Sequence, residues 1–241
     1  MTSKPAFLGL DGCKAGWFCI GIDRKGGFDF TVLKKIEELY PFLIHAKQIL
    51  VDIPIGLPWR EQPVRTCDTA ARRILAPRGS SVFPAPARSA LAMPSYHEGS
   101  AENRRQLNRG LSVQTWNIVS KIRETDEFMR RIKPGNKVRE MHPEVAFWAL
   151  NGRQALKYRK KEQQGIEERL AILSSHYDRS EQCFLLARDR YLVKEVASDD
   201  IVDAMAGAVT AMQHPRLSTL PENPEKDREG IPMEIVYCGH F

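Results

Sequence analysis

Three short runs of hydrophobic positions open the chain. Residues 6–10 form an apolar run closed by Asp11 and Gly12, and residues 16–22 form a second run rich in aromatic and β-branched side chains. Residues 28–33 alternate between apolar and polar positions after a Lys-Gly-Gly turn sequence. Apolar runs of this length, separated by turn residues, predict three antiparallel strands.

The pattern then changes to alternating helices and strands. Residues 36–46 carry apolar side chains at helical spacing, and residues 48–55 are typical of a buried strand whose apolar run is interrupted by Asp52. Residues 137–141 predict a further strand, which would extend a parallel sheet. Apolar spacing also predicts helices over residues 112–132, 144–150, 162–174, 181–191 and 198–212. The whole pattern predicts an α/β fold with a mixed sheet flanked by helices.

Near its end, the chain predicts a helix N-cap and a loop that precedes a last strand. Ser198 is a favourable N-cap for the last helix. Residues 221–230 are polar and contain two prolines, so they predict a mobile loop before a last strand over residues 232–238.

Length and composition predict one domain with an insertion. The chain has 241 residues, which we interpret as a single domain over residues 1–241. Residues 59–111 are rich in Pro, Arg, Ser and Gly, with a helix near residues 67–75 and no convincing strand. This segment is the predicted basic helical and loop insertion after the fourth strand.

Composition also bears on the compartment of the protein. The longest mainly apolar stretch without a charge, residues 204–213, is far shorter than the ~20 residues of a membrane span. The N-terminal region shows no signal-peptide pattern, so we expect a cytoplasmic protein without a membrane partner. Five scattered cysteines, never spaced Cys-x-x-Cys, argue against a disulfide framework and a zinc site.

Positive charge is concentrated in the middle of the chain. Residues 60–139 hold 16 of the 36 Lys and Arg but only 7 of the 30 Asp and Glu, a net charge of +9. Such a segment could bind nucleic acid or another phosphate-bearing substrate, although an ordinary solvated surface and structural ion pairs remain alternatives. The candidate phosphate-binding residues are Arg65, Arg72, Arg73 and Arg78, together with Lys14 in the first turn. The first three have roughly helical spacing and could share one helix face.

Several carboxylates lie in apolar surroundings, where burying an unpaired charge costs free energy. Asp52 interrupts an otherwise apolar strand, where an unpaired charge would require a cation or a satisfied hydrogen-bond network. Asp11 ends the first strand, although Asp-Gly is also an ordinary turn pair. Asp203 lies among small apolar residues one helical turn beyond Asp199 and Asp200, which could merely favour the helix dipole.

A fourth acidic locus, Glu140 to Glu144, begins at the end of the predicted strand, where Glu140 follows Val138 and Arg139. Its alternative reading is an exposed strand end followed by a favourable acid in the first turn of a helix. Acids from separate elements are expected where hard cations are bound, so Asp11, Asp52, Asp200 and Asp203 are the candidate ligands for two Mg²⁺ or Mn²⁺ ions.

Residues 9–17, 51–58, 140–144 and 199–204 resemble the motifs of an uncharacterised family of predicted ribonuclease H-like nucleases, domain of unknown function 429. The resemblance covers nearly the whole chain. It implies a ribonuclease H-like fold, in which the first and fourth strands are neighbours and Asp11 therefore lies beside Asp52. It also places Glu140 on the strand beside Asp52, where it would add a ligand or orient the water. The late helix resembles that of bacterial Holliday-junction resolvases at Asp200 and Asp203, whereas Asp52 stands where those enzymes use Glu.

These observations lead to a metal-dependent nuclease or phosphodiesterase as the main hypothesis, with the four Asp residues and Glu140 as the catalytic set. A noncatalytic nucleic-acid or phosphometabolite binding module on the same fold is the alternative. An ATP-dependent phosphotransferase is disfavoured because the chain is short and contains no Asp-x-Gly-Gly phosphate loop.

Overall fold

The computed structural model describes residues 4–239, which pack as two compact units. The first unit comprises the chain up to Asp52, residues 134–218, and the chain from Val236 onward. The second comprises residues 53–133 and 219–235, so the predicted insertion over residues 59–111 falls within it.

Five strands form the sheet of the first unit. They are β1 (Phe7–Cys13), β2 (Gly16–Ile22), β3 (Phe28–Leu33), β4 (Gln48–Val51) and β5 (Val138–Glu140). Their order across the sheet is β3-β2-β1-β4-β5. The pairs β1–β2 and β2–β3 are antiparallel, and the pairs β1–β4 and β4–β5 are parallel. The predicted mixed α/β sheet is therefore confirmed.

In chain order the α-helices are α1 (Thr66–Ile74), α2 (Tyr96–Leu107), α3 (Val113–Asn117), α4 (Val119–Ile132), α5 (Pro143–Leu150), α6 (Gln163–His176), α7 (Ser180–Arg190) and α8 (Ser198–Ala211). Buried apolar residues from α5 to α8 pack with Phe18, Ile20 and Phe30 in a single cluster on one face of the sheet. Helix α8 is buried along nearly its whole length because its apolar residues occur on every side.

Most predicted elements differ from the observed ones by one to three residues at an end, and three differ more substantially. The strand predicted over residues 48–55 ends at Val51, so Asp52 follows the strand and is half-buried, although its N–H still donates to Leu10 O at 2.9 Å. The helix predicted over residues 112–132 is divided into α3 and α4, because the backbone leaves the helical conformation at Ile118 (φ −108°, ψ 3°). The helix predicted over residues 36–46 is a 3-10 helix, Ile36–Ile44, that contains Pro41.

The prediction of a mobile loop over residues 221–230 was wrong. Strand β6 (Leu217–Lys226) runs through most of this segment and pairs with β7 (Pro232–Cys238) in a two-stranded sheet, where proline is tolerated because edge strands leave N–H groups unused. The turn between these strands is anchored by Asp227, a buried carboxylate. It accepts hydrogen bonds from the N–H groups of Leu57, Glu229 and Ile231, and from the Arg88 guanidinium.

Ser198 is the first helical residue of α8 and not its N-cap. The N-cap is Ala197, whose N–H donates to Asp200 Oδ2 at 2.8 Å, so the acid in the third helical position supplies the capping hydrogen bond. Over residues 4–239 no helix combines the length and the apolar character that crossing a membrane would need. The five cysteines are buried free thiols.

Candidate metal centre

The site begins with an unusually close approach between α8 and β1. A Cβ atom added to Gly9 would lie 2.0 Å from Ala204 O and 2.2 Å from Ala208 N, both of which are backbone atoms of α8. Only glycine therefore permits this packing. The helix rests on the same face of β1 as Asp11, because side chains alternate along a strand and Gly9 and Asp11 are two residues apart.

Parallel pairing of β1 with β4 brings the second carboxylate to the same place. Leu10 pairs in register with Val51, so Asp11 and Asp52 follow at equivalent positions of adjacent strands. Asp203 reaches them from α8, where its residue is fully buried. Asp11, Asp52 and Asp203 each place a carboxylate oxygen within 4.8 Å of the other two. Three of the four predicted ligands therefore converge.

The donor set fits a hard divalent cation. Carboxylate oxygens are the ligands that Mg²⁺ and Mn²⁺ prefer, and three converging carboxylates repel one another unless a cation or protons neutralise them. Asp203 Oδ1 is buried and has no hydrogen-bond partner among the described residues. A buried carboxylate oxygen without a hydrogen-bond partner destabilises the folded protein, and a bound metal ion would offset this cost.

Burial and mutual repulsion shift the titration of the cluster. The pKa of Asp11 is raised well above its usual value by burial and by the charges of Asp52 and Asp203. Burial and Asp203 raise the pKa of Asp52 to about 7. The pKa of Asp203 is also raised by burial, against the opposing effect of Lys160. In metal-free protein near neutral pH, Asp52 is therefore only partly ionised, whereas an isolated aspartate would be fully ionised.

Asp200 lies at the edge of this cluster. It is half-buried, and burial together with neighbouring Asp199 and Asp203 raises its pKa to about 6 although its hydrogen bond to Ala197 acts in the opposite direction. The capping hydrogen bond uses Oδ2, which leaves Oδ1 as the oxygen available for a further ligand.

Lys160 is the cation nearest to the cluster. Its Nζ lies 2.8 Å from Asp203 Oδ2 and 3.8 Å from Asp199 Oδ2. The lysine side chain is 41% exposed, whereas that of Asp203 is 1% exposed. Asp203 is the main cause of the raised pKa of Lys160, so the ammonium stays charged throughout the physiological range. Sequence reasoning missed Lys160, because it lies in a run of charged residues that is typical of an exposed loop.

Glu140 does not join the group of converging carboxylates. It pairs in register with Val51, and Asp52 is the next residue after Val51, so alternation along the strands directs Glu140 to the opposite face. The acid that acts on the cluster from this part of the chain is Glu144, in the first turn of α5, whose charge raises the pKa of both Asp52 and Asp203.

A buried arginine holds Glu144 in place. Arg169 of α6 is 1% exposed and forms an ion pair with Glu144. Its guanidinium also donates to Gly165 O and lies 5.3 Å from the centre of the Phe147 ring. Because Arg169 already balances the charge of Glu144, this pair supports the wall of the site and is poorly suited to bind a metal ion directly.

The predicted phosphate-binding arginines lie in the second unit, in different environments. Arg65 is buried, its Nη1 lies 3.1 Å from Asp68 Oδ1, and its Nη2 donates to Ile55 O. Arg72 donates twice to Val82 O, and Arg73 is exposed. The expectation that these three residues share one presenting helix face was therefore wrong, because the first two guanidinium groups hold the fold of their own unit.

The other two candidates are at the surface. Arg78 is half-buried, and its backbone precedes a short 3-10 helix, Gly79–Ser81. Lys14 is exposed in the turn between β1 and β2. These two side chains and that of Arg73 are at least partly exposed, and they differ from half-buried Arg72, whose guanidinium is hydrogen-bonded to Val82 O.

Most of the chain matches one known protein family. A family described as "Protein of unknown function (DUF429)" matches residues 9–226, a range that includes Asp11, Asp52 and Asp203. No curated protein and no solved structure is significantly similar to the chain.

Proposed function

Since the chain belongs to the DUF429 family, whose description names no activity, we propose from the acidic site that the protein is a Mg²⁺- or Mn²⁺-dependent phosphodiesterase or nuclease. The observation that carries the proposal is the meeting of Asp11, Asp52 and Asp203 from two strands and a helix, with a buried oxygen of Asp203 left without a partner. A purely structural cluster would be expected to satisfy that oxygen internally.

The strand arrangement supports a ribonuclease H-like fold as part of this proposal. Three antiparallel strands are followed by two parallel ones, and β1 lies between β2 and β4. Asp11 in β1 and Asp52, the first residue after β4, therefore lie side by side near the middle of the sheet, as the sequence resemblance implied.

Each acidic residue has a defined part in the proposed reaction. Asp11, Asp52 and Asp203 would hold the metal ions, and Asp200 would add a ligand to the second ion through Oδ1. When bound, such ions activate water for attack on phosphorus and neutralise charge on the leaving oxygen. The carboxylates must be ionised to bind the ions, so the raised pKa of Asp52, about 7, predicts metal binding that strengthens between pH 5 and pH 8.

The proposed substrate is nucleic acid or another phosphodiester. The excess of Lys and Arg over residues 60–139 supports an anionic substrate, and Arg73, Arg78 and Lys14 are the accessible candidates to contact its phosphates. Contacts of this kind position a polyanion without reading its sequence.

One observation favours the alternative of a noncatalytic binding module. The ammonium of Lys160 already neutralises one carboxylate of the cluster, as it would in a site that functions without a metal. Such a module would bind a phosphate-bearing ligand and show no turnover.

A screen of labelled single-stranded, duplex, hybrid and junction substrates with Mn²⁺ tests the proposal. We expect cleavage of at least one class by the wild type and a loss of at least about 100-fold in Asp52→Asn, which keeps the shape of the side chain but removes its charge. Asp189→Asn, which changes an exposed acid of α7, is the matched control and should cleave normally. Binding without cleavage would favour the noncatalytic module, and neither binding nor cleavage would contradict both.

A further inference from the structure

Lys160 is held in its position by the segment that carries it. Carboxylate oxygens of Glu168 on α6 accept hydrogen bonds from the N–H groups of Lys157 and Tyr158, at 2.8 and 3.0 Å. The carbonyl of Arg159 approaches Gly165 so closely that an added Cβ atom there would lie 1.8 Å from it. The backbone before Lys160 is therefore fixed against α6, and its ammonium is directed to Asp203 by the fold and not by chance.

The ion pair leaves the acidic cluster only partly neutralised. One ammonium faces three converging carboxylates and contacts one oxygen of Asp203, while the other oxygen of that carboxylate stays without a partner. Lysine also keeps a flexible stem and a compact charge, and this side chain is 41% exposed, so it can exchange its partner without a change of fold.

An anionic substrate requires a cation at this place. A phosphodiester that approaches Asp11, Asp52 and Asp203 is repelled by their negative charges. Metal ions bound to these carboxylates would contact some oxygens of the phosphate and leave others without a cation. A lysine beside the cluster supplies a positive charge that Asp203 no longer holds once it binds a metal ion, and Asp199 Oδ2, at 3.8 Å, is then its nearest carboxylate.

We propose that Lys160 is an exchangeable cation of the site: it pairs with Asp203 in the metal-free protein, and it binds a nonbridging oxygen of the phosphodiester once Asp203 holds a metal ion. This inference rests on the proposed metal-dependent function. It assigns Lys160 two opposite effects, because the residue competes with the metal ion for Asp203 and strengthens the binding of the substrate.

The test compares Lys160→Met, which keeps the length of the side chain without its charge, with Lys160→Arg, which keeps the charge. Lys161→Met is the control, because Lys161 is the exposed neighbour in the same charged run. Mn²⁺ affinity is measured by titration calorimetry. Phosphodiester binding is measured, at saturating Mn²⁺, from the paramagnetic broadening of the ³¹P resonance of dimethyl phosphate.

We expect Lys160→Met to bind Mn²⁺ about threefold to tenfold more tightly than the wild type, since a competing charge that is partly screened by water has been removed. The same variant should bind dimethyl phosphate at least about fivefold more weakly. Lys160→Arg should retain most of the phosphodiester binding, and Lys161→Met should match the wild type in both measurements.

Three results would overturn the inference. Unchanged Mn²⁺ affinity in Lys160→Met would show that the lysine does not compete for Asp203, and unchanged dimethyl phosphate binding would make it a structural counter-ion only. Mn²⁺ binding by neither the wild type nor Lys160→Met would remove the metal site and this inference together. Binding of Mn²⁺ and dimethyl phosphate as expected, without cleavage of any substrate, would support the role of Lys160 and contradict the proposed catalysis.

Discussion

Gly207 of α8 lies directly against Gly9 of β1, so that a Cβ atom on Gly207 would stand 2.9 Å from Gly9 Cα. Asp203 is four residues, about one helical turn, before Gly207, and Asp11 is two residues after Gly9. The contact between the two glycines therefore fixes the distance between the carboxylates of α8 and β1. Two residues without chemical function set the geometry of the acidic site.

Substitution of either glycine should damage stability and metal binding together. We expect Gly9→Ala to lower the free energy of unfolding by at least about 3 kcal/mol, because its Cβ would strike two backbone atoms of α8. Gly207→Ala should cost less, about 1–3 kcal/mol, since its Cβ would clash with only one backbone atom, Gly9 Cα, and at the longer distance of 2.9 Å, and alanine favours the helix. Urea denaturation measures the free energy of unfolding of both variants, with Ser198→Ala at the start of α8 as the control. A neutral Gly9→Ala would contradict the close packing.

The metal-free protein should lose stability as pH rises from about 4 to about 7. The pKa of Asp52 is about 7 in the folded state, above its ordinary value of 3.8, so in this interval the folded state binds more protons than the unfolded state. Stability then falls with rising pH, and Asp11 and Asp203 act in the same direction. We expect a fall of at least about 1 kcal/mol, since each pKa unit corresponds to about 1.4 kcal/mol.

Urea denaturation in EDTA at pH 5 and pH 7.5 measures this loss, and Asp52→Asn should show a smaller one than the wild type. An equal loss in Asp52→Asn and in the exposed-site control Asp189→Asn would mean that Asp52 does not titrate in this range.

Divalent metal ions should stabilise the wild type and not the cluster variants. At 100-fold excess over its dissociation constant, Mn²⁺ would add about 2.7 kcal/mol to the free energy of unfolding. We expect Asp52→Asn to be at least as stable as the wild type without metal, because it relieves repulsion, and to lose most of this Mn²⁺ response. Thermal denaturation with Mn²⁺ or EDTA measures both effects. A metal-free loss of several kcal/mol in Asp52→Asn would instead indicate a buried structural hydrogen-bond network.

Replacing Arg65 should lower the free energy of unfolding far more than replacing Arg73, although both residues lie at the same helix of the second unit. Arg65→Ala would leave the buried carboxylate of Asp68 without its ion pair, which costs about 3–5 kcal/mol. Arg73→Ala changes an exposed side chain and should alter the free energy of unfolding by less than about 0.5 kcal/mol. Urea denaturation of the two variants measures this contrast, and similar losses would contradict the burial of Arg65.

Salt dependence should show whether the basic segment contacts a polynucleotide. Several phosphate contacts predict that log affinity falls against log salt with a slope steeper than about −3, and Arg73→Ala should flatten it by about 0.7 to 0.9 if it contacts one phosphate. Arg105→Ala is the control, because this exposed arginine is already paired with Glu102. Fluorescence anisotropy with Asp52→Asn and Mn²⁺ measures the slopes. No binding at low salt would remove nucleic acid from the proposal.

Local sequence patterns predict the order of the sheet-forming elements, and they single out as candidate ligands the three carboxylates that converge. Strands β1 to β3 were predictable because short apolar runs were separated by turn residues, and β4 and β5 because they were short and bounded by proline, polar or glycine residues. Asp52 and Asp203 were identified because a charge in apolar surroundings is costly and therefore signals a compensating partner.

Which charged residues meet depends on how the strands and helices pack together. Glu140 and Asp52 are both acids at strand ends, and the register of β5 against β4 directs them to opposite faces. Lys160 gives no signal in the sequence, since its contact with Asp203 depends on how the preceding segment packs on α6. Likewise, the polar residues 221–230 predict a loop, because nothing local indicates that Asp227 accepts hydrogen bonds from three N–H groups and an arginine. The spacing of apolar residues indicates how a single helix or strand is buried. Contacts between charged residues on different elements depend instead on segments that are far apart in the chain.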